Sequence, residues 1–219
     1  MRLPPGFRRF GWLAGLLLAL PLAAIAAPAD ADPPVEGRDY VLIADGAPWQ
    51  PLADGEVEVV EIFSYACHIC DELHPRIEAW RRTLPAHVRF AYLPVAYRTQ
   101  DPFATGFFAA EALGELPRVH GATFDAVHRN GSLARNASTG EIARYYGELG
   151  VDRERLAQAM AADETRQKLN AAHEFLLRSG AQGTPTVIIN GRYRVQARSL
   201  QDLLRISDQL IAKVRAEGR

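Results

Sequence analysis

The apolar and polar positions of this chain change texture along its length. Phe10 to Ala26 is almost uniformly apolar, interrupted by Pro21. Asp39 to Ala44 is a candidate first strand, turned by Asp45-Gly46-Ala47-Pro48. Val57 to Phe63, Val-Glu-Val-Val-Glu-Ile-Phe, has the length and β-branched content of a short buried strand. Asp71 to Arg82 then takes helical spacing, with Leu73, Ile77 and Trp80 on one stripe. Pro75 inside that helix removes a hydrogen bond to the carbonyl four residues back, so a kink is expected. His87 to Leu93 reads as a third strand, ended by Pro94.

From Asp101 to about Ser179 the β-branched runs give way to Ala, Leu, Glu and Arg, broken at Gly114, Pro117, Asn130-Gly131 and Gly150. This spacing predicts four or five helices, with Asp101 before Pro102, Ser138 and Asp152 as N-terminal caps. Ser138 and Glu141 have the spacing of a capping box. Phe103, Phe107 and Phe108 read as helix core, with a substrate groove as the other reading. Thr186 to Ile189 and Arg192 to Gln196, joined by Asn190-Gly191, form a hairpin signal. Ser199 caps a last helix that runs through Leu203, Leu204, Ile206, Leu210 and Val214. Strand, helix, strand, helical block, hairpin and helix in that order predict an α/β fold. The sheet is mixed, with helices on both faces and the helical block inserted before the hairpin.

Composition changes this picture mainly at the N-terminus. The 219 residues suffice for one domain with a sizeable core, or one domain carrying an insert. Arg2, Arg8 and Arg9, the apolar run and Ala24-Ile25-Ala26-Ala27 follow the order of a secretory signal peptide cut after Ala26. An uncleaved anchor is the other reading of that run. Residues 27 to 37, rich in Pro, Ala, Asp and Gly, read as a flexible leader. The whole chain has a formal charge of −1; removing residues 1 to 26 leaves 22 bases against 26 acids, a charge of −4. Nucleic acid and anionic membrane are therefore not expected as the main partners.

The chemistry concentrates at Cys67-His68-Ile69-Cys70, which holds both cysteines of the chain. Export would place them in an oxidising compartment, where structural disulfides join distant segments. A bridge across two residues closes almost no loop and adds little stability, so the pair is better explained by reactivity. Cys67 stands where a strand gives way to a helix. Unpaired N–H groups and the positive end of the helix dipole favour a thiolate there. A metal site using Cys67, Cys70 and His74, with His68 nearby, is an alternative for Zn²⁺ or Cu⁺. A c-type haem site would need His after Cys70, where Asp71 stands.

These residues resemble the thioredoxin superfamily and, within it, the DsbA-like branch of exported thiol-disulfide oxidoreductases. The resemblance rests on Glu61 six before the first cysteine, Phe63-Ser64 leading to the pair, the helical insert and Gly183-Thr184-Pro185 before Val187-Ile188-Ile189-Asn190-Gly191. It covers nearly all of the chain beyond the leader. The fold it implies is a thioredoxin-like mixed sheet built from residues 38–100 and 180–219, with an inserted all-helical domain over 101–179.

The resemblance also implies roles. Cys67 matches the exposed nucleophile and Cys70 the buried resolving cysteine. Pro185 matches a cis-proline loop that offers backbone hydrogen bonds to substrate, with Thr184 beside it as a contact or as loop filler. Glu61 matches a buried acid beneath Cys70, able to take its proton; a solvent-facing edge acid is the other reading. Pro75 matches the helix-kinking proline of thioredoxins. DsbA-type proteins commonly place Pro then His between the cysteines, whereas His68 and Ile69 stand here. His68 is read either as a charge or hydrogen bond beside Cys67 or as a solvated surface group. His87, His120, His128 and His173 show no matching partners and read as structural or surface groups.

The implied activity is a periplasmic oxidase that introduces disulfides into reduced secreted proteins, needing no cofactor. It would work as a monomer and be recycled by a membrane quinone-linked thiol oxidase. An isomerase or reductase of the same fold and a metal-delivering protein are the alternatives.

Overall fold

The computed structural model describes residues 1, 32–96, 98 and 100–218. The expected signal peptide, and the part of the leader before residue 32, lie outside the described residues. Among the described residues no helix is long and apolar enough to cross a membrane.

Five strands form one sheet: β1 (Tyr40–Leu42), β2 (Val57–Phe63), β3 (Val88–Pro94), β4 (Thr186–Ile189) and β5 (Tyr193–Val195). Seven helices are described: α1 (His68–Arg81), α2 (Pro102–Ala112), α3 (Leu116–His128), α4 (Thr139–Glu148), α5 (Arg153–Ala161), α6 (Asp163–Ser179) and α7 (Leu200–Glu217). The sheet order is β1-β5-β4-β2-β3; β2 and β3 run parallel and every other neighbouring pair antiparallel. This is the mixed sheet with an inserted helical segment that the sequence pattern predicts.

Every residue of β2 is buried, because this central strand is covered on both faces. Val57 and Val59 face α1 and α7, packing with Leu73, Ile77 and Leu210. Val60 and Ile62 face the other way, toward Phe175 and Leu176 of α6 and Phe107 and Phe108 of α2. A third apolar cluster, including Val119, Ile142, Tyr146 and Leu156, lies within the helical insert. Phe107 and Phe108 are thus core, while Phe103 is only partly buried.

The local signals hold to the residue. Asp101, Ser138, Asp152 and Ser199 each accept a backbone N–H at a helix start, and Ser138 with Glu141 closes the capping box. Asn190 and Gly191 take φ of 55° and 63°, as a two-residue hairpin turn requires. A Cβ at Gly191 would meet the Ala47 carbonyl at 2.0 Å, so that turn is packed against the 47–48 segment. Several strand ends shift by one or two residues, and two further differences are larger. Helix α1 begins at His68 rather than Asp71, with Cys67 as its N-cap, and continues through Pro75. The end of the expected leader is drawn into a turn: Asp39 N–H donates to the Val35 carbonyl at 2.8 Å and Gly37 N–H to Tyr40 at 2.8 Å.

Candidate active site

β2 points directly at the cysteine pair. After Phe63 the chain turns through Ser64, Tyr65 and Ala66, held by Cys67 N–H donating to the Ser64 carbonyl at 3.1 Å. Cys67 then enters α1 with extended φ and ψ of −88° and 119° and no side-chain cap. The N–H groups of the first turn are therefore left free for the sulfur itself.

The two thiols are free and sit in opposite environments. Burial opposes ionisation of Cys67, but a hydrogen bond from the Thr184 side chain, the N–H groups of Cys70 and Ile69 and the Cys70 thiol outweigh it. Its pKa falls below the ordinary value of 9.0. When protonated, Cys67 Sγ donates to the Thr184 carbonyl at 3.2 Å. Thr184 therefore meets both forms: its carbonyl holds the thiol and its hydroxyl favours the thiolate. Cys70 is 0% exposed, and burial, with the negative charges of Cys67 and Glu61, drives its pKa upward. One sulfur is accessible and easily ionised while the other keeps its proton.

Glu61 is 2% exposed, on the face of β2 turned toward α1. Burial first, then Glu78 and Cys67, raise its pKa to about 8. Its Oε2 has no partner, unlike the equally buried Glu58 on the same strand. Glu58 accepts from Trp49 N–H at 2.7 Å and Gln50 N–H at 3.1 Å and pairs with Arg89 at 3.1 Å. The pattern Val-Glu-Val-Val-Glu thus carries one anchored acid and one unanchored one. Since β2 is central, the edge-strand reading of Glu61 does not apply.

The Thr184–Pro185 peptide bond is cis. Pro185 and Ile69 border a groove of about 570 Å³ whose floor is Val195, Leu200 and Leu203. The fold therefore brings Cys67, Cys70, Glu61, Thr184 and Pro185 together. His68 is exposed on the first turn of α1. The donors that act on Cys67 are backbone N–H, hydroxyl and thiol groups.

Sequence reasoning missed a second polar cluster behind the pair. Tyr65 is buried, and its hydroxyl and His120 Nδ1 are 2.7 Å apart. Burial, then His74 and Arg81, lower the His120 pKa to about 3, so its ring is neutral. The His74 ring lies 4.9 Å from that of His120, and the Tyr92 ring 4.3 Å. Tyr92 donates to Glu78 at 2.5 Å. His128 is bonded to the Tyr65 carbonyl at 2.7 Å and His173 to the Ala96 carbonyl at 2.7 Å. His120, His128 and His173 therefore have partners that the sequence does not show, in keeping with the structural role expected of them. A signal was present: His120, Phe124 and His128 recur every four residues, one helical stripe. The metal alternative is not favoured: among the described residues no three His, Cys, Asp or Glu side chains gather around one point. His74 turns toward His120 and Phe124 instead.

Comparison with known proteins agrees with this geometry. Residues 71–207 match the family described as DSBA-like thioredoxin domain. The thiol:disulfide interchange protein DsbA of Burkholderia cepacia is 32% identical over 208 residues, 92% of this chain and 96% of its own. That of Azotobacter vinelandii is 30% identical over 212 residues, 93% of this chain and 97% of its own. The crystal structure of the oxidoreductase DsbA from Xylella fastidiosa superimposes with a TM-score of 0.80. It is 39% identical and covers 84% of this chain and 98% of that one.

Proposed function

This chain belongs to the DSBA-like thioredoxin family, a thiol-disulfide oxidoreductase by that membership, and we propose that it oxidises newly exported proteins at Cys67 and Cys70. The observation that carries this reading is the asymmetry of the pair: an accessible sulfur with a lowered pKa beside a buried one with a raised pKa.

In the oxidised enzyme a substrate thiolate attacks Cys67 Sγ. The Cys67–Cys70 bond breaks, and its electron pair leaves on Cys70. Glu61, protonated near neutral pH, is placed on the strand beneath to return a proton to that sulfur. A second substrate thiolate then attacks the substrate sulfur of the mixed disulfide and expels Cys67 as a thiolate. Two electrons have moved from a substrate dithiol to the enzyme, and the substrate holds a new disulfide. The groups that favour the Cys67 thiolate stabilise the reduced enzyme, and so push the exchange toward substrate oxidation. Thr184 and Pro185 form the substrate-facing wall, and His68 modulates the pair from the surface.

The setting we propose is the periplasm, reached through the N-terminal signal peptide. Reduced exported proteins are the substrates, a quinone-linked membrane thiol oxidase returns the enzyme to its disulfide form, and the enzyme is a monomer. The two-part division into a sheet domain, residues 38–100 and 180–219, and a helical domain, 101–179, belongs to the same proposal.

Paired substitutions test the reading. Cys67→Ala abolishes exchange, while the lone Cys67 thiolate of Cys70→Ala attacks a disulfide of an oxidised test protein, expels one of its sulfurs as a thiolate and accumulates mixed disulfides that run as extra bands on a non-reducing gel. Absence of such bands with Cys70→Ala would overturn the assignment. His68→Pro shifts the equilibrium of the pair against glutathione; an unmoved equilibrium removes His68 from the mechanism.

A further inference from the structure

The groove beside Pro185 is not electrically neutral at its rim. Arg198 borders it and also borders a neighbouring depression of about 220 Å³ that holds Arg38, Asp39, Asp202 and Arg205. The other charges there are matched. Arg38 pairs with Asp39 at 2.7 Å and Arg205 with Asp202 at 3.1 Å. Arg198 is exposed and belongs to neither pair, so this rim carries one net positive charge. The chain without its first 26 residues has the opposite sign, with 22 bases against 26 acids.

Geometry and charge together describe what fits. Val195, Leu200 and Leu203 supply apolar lining to the same groove that Ile69 and Pro185 border. A segment attached by its cysteine at Cys67 would cross that lining within a few residues. In an extended segment each residue advances about 3.3 Å, and alternate side chains face the same way. We propose that Arg198 is a specificity residue that selects substrate segments bearing an Asp or Glu within a few residues of the reacting cysteine, with an apolar side chain seated on the groove floor between them. This rests on the reading of Cys67 as the nucleophile. Arg198 takes no part in the bond exchange; it raises the encounter and residence of acidic segments.

The test uses the whole purified enzyme in its disulfide form. The probes are unstructured peptides with one cysteine and one apolar residue, identical except that Asp, Asn or Lys occupies a position one to four residues to either side of the cysteine. Loss of the Cys67–Cys70 disulfide is followed by acid quench and alkylation. 2-Mercaptoethanol, which carries no charge besides its thiol, is the control. At low ionic strength, Asp peptides are expected to react roughly two- to five-fold faster than their Asn counterparts at the matching position, the range of an exposed ion pair, with Lys slower than Asn. The gap closes as salt is raised to screen the pair. Arg198→Gln levels the series and Arg198→Glu inverts it, while the 2-mercaptoethanol rate of both variants stays at the wild-type value.

Equal rates for Asp, Asn and Lys at every position, or an unchanged order in Arg198→Glu, would overturn the inference while leaving the nucleophile assignment standing. An enzyme disulfide inert to all peptides and to 2-mercaptoethanol would instead bring down the nucleophile reading, and this inference with it.

Discussion

Replacing Glu61 by Gln should change how stability depends on pH, and the size of the change follows from burial. Glu61 is 2% exposed, with Oε2 unpartnered and Glu78 and Cys67 adding negative charge nearby. Its pKa is about 8 in the folded chain against an ordinary 4.5. The folded state therefore binds this proton more tightly than the unfolded state. Between those two values the unfolded chain has lost the proton and the folded chain has kept it, so stability falls as pH rises through that window. Linkage at ~1.4 kcal/mol per pH unit puts the cost at ~3 kcal/mol by pH 7 and ~5 kcal/mol above pH 8.

Cys67, with its lowered pKa, pulls in the opposite sense at higher pH, but it is common to both proteins and cancels in the comparison. Gln fills the same volume, presents one polar tip to the same site and cannot ionise. Urea unfolding of the reduced proteins at pH 5, 6, 7 and 8 measures the difference. The Gln variant should gain under ~1 kcal/mol at pH 5 and ~3 kcal/mol at pH 7, beyond any constant offset from the amide. In thermal melts at pH 7 this is a rise of roughly 6–12 °C for a chain of this size. The same variant should return the proton to Cys70 more slowly, so stability and turnover move in opposite directions. A wild-type minus variant difference that stays flat from pH 5 to 8 would refute the reasoning, because it would mean that Glu61 titrates alike in both states.

Further outcomes follow from other parts of the molecule. Thiolate absorbance at 240 nm should titrate Cys67 below the ordinary thiol value of 9.0, and in Cys67→Ala no thiolate should appear in that range, since burial holds the Cys70 proton. Tyr65→Phe leaves His120 Nδ1 without its 2.7 Å partner in a buried site, which should cost ~1–3 kcal/mol in urea unfolding. Ser138→Ala removes the capping box of α4 and should cost ~1 kcal/mol, with exchange kinetics unchanged. Gly191→Ala combines a φ of 63° with a Cβ 2.0 Å from Ala47, and a loss above ~3 kcal/mol, or failure to fold, is expected; a stable variant would show the turn to be more plastic than its packing.

Much of this protein was legible before any coordinates. The β-branched run Val57 to Phe63 coincides with β2, and the Asp101, Ser138, Asp152 and Ser199 caps stand at real helix starts, because such signals act within a few residues of chain. The Asn190-Gly191 turn is local in the same way: two consecutive residues with positive φ suffice to reverse a strand. The cysteine spacing and its position at a strand-to-helix junction already singled out Cys67.

Sequence alone left three things open, and each depended on which segments meet. The strand order decided the fate of Glu61: β4 and β3 flank β2, which buries an acid that an edge position would have left in water. Helix α3 brings His120 against Tyr65 and Tyr92, partners 55 and 28 residues away in the chain, so no nearby spacing could pair them. The environment of Cys67 was likewise set at long range. Thr184, 117 positions downstream, supplies contacts to its sulfur, and only the packing of β4 beside β2 delivers that loop to the start of α1. Periodicity and turn chemistry specify each element, because hydrogen bonds and caps join near neighbours. Which polar group is buried, and against what, is a property of the assembled sheet and its helical cover.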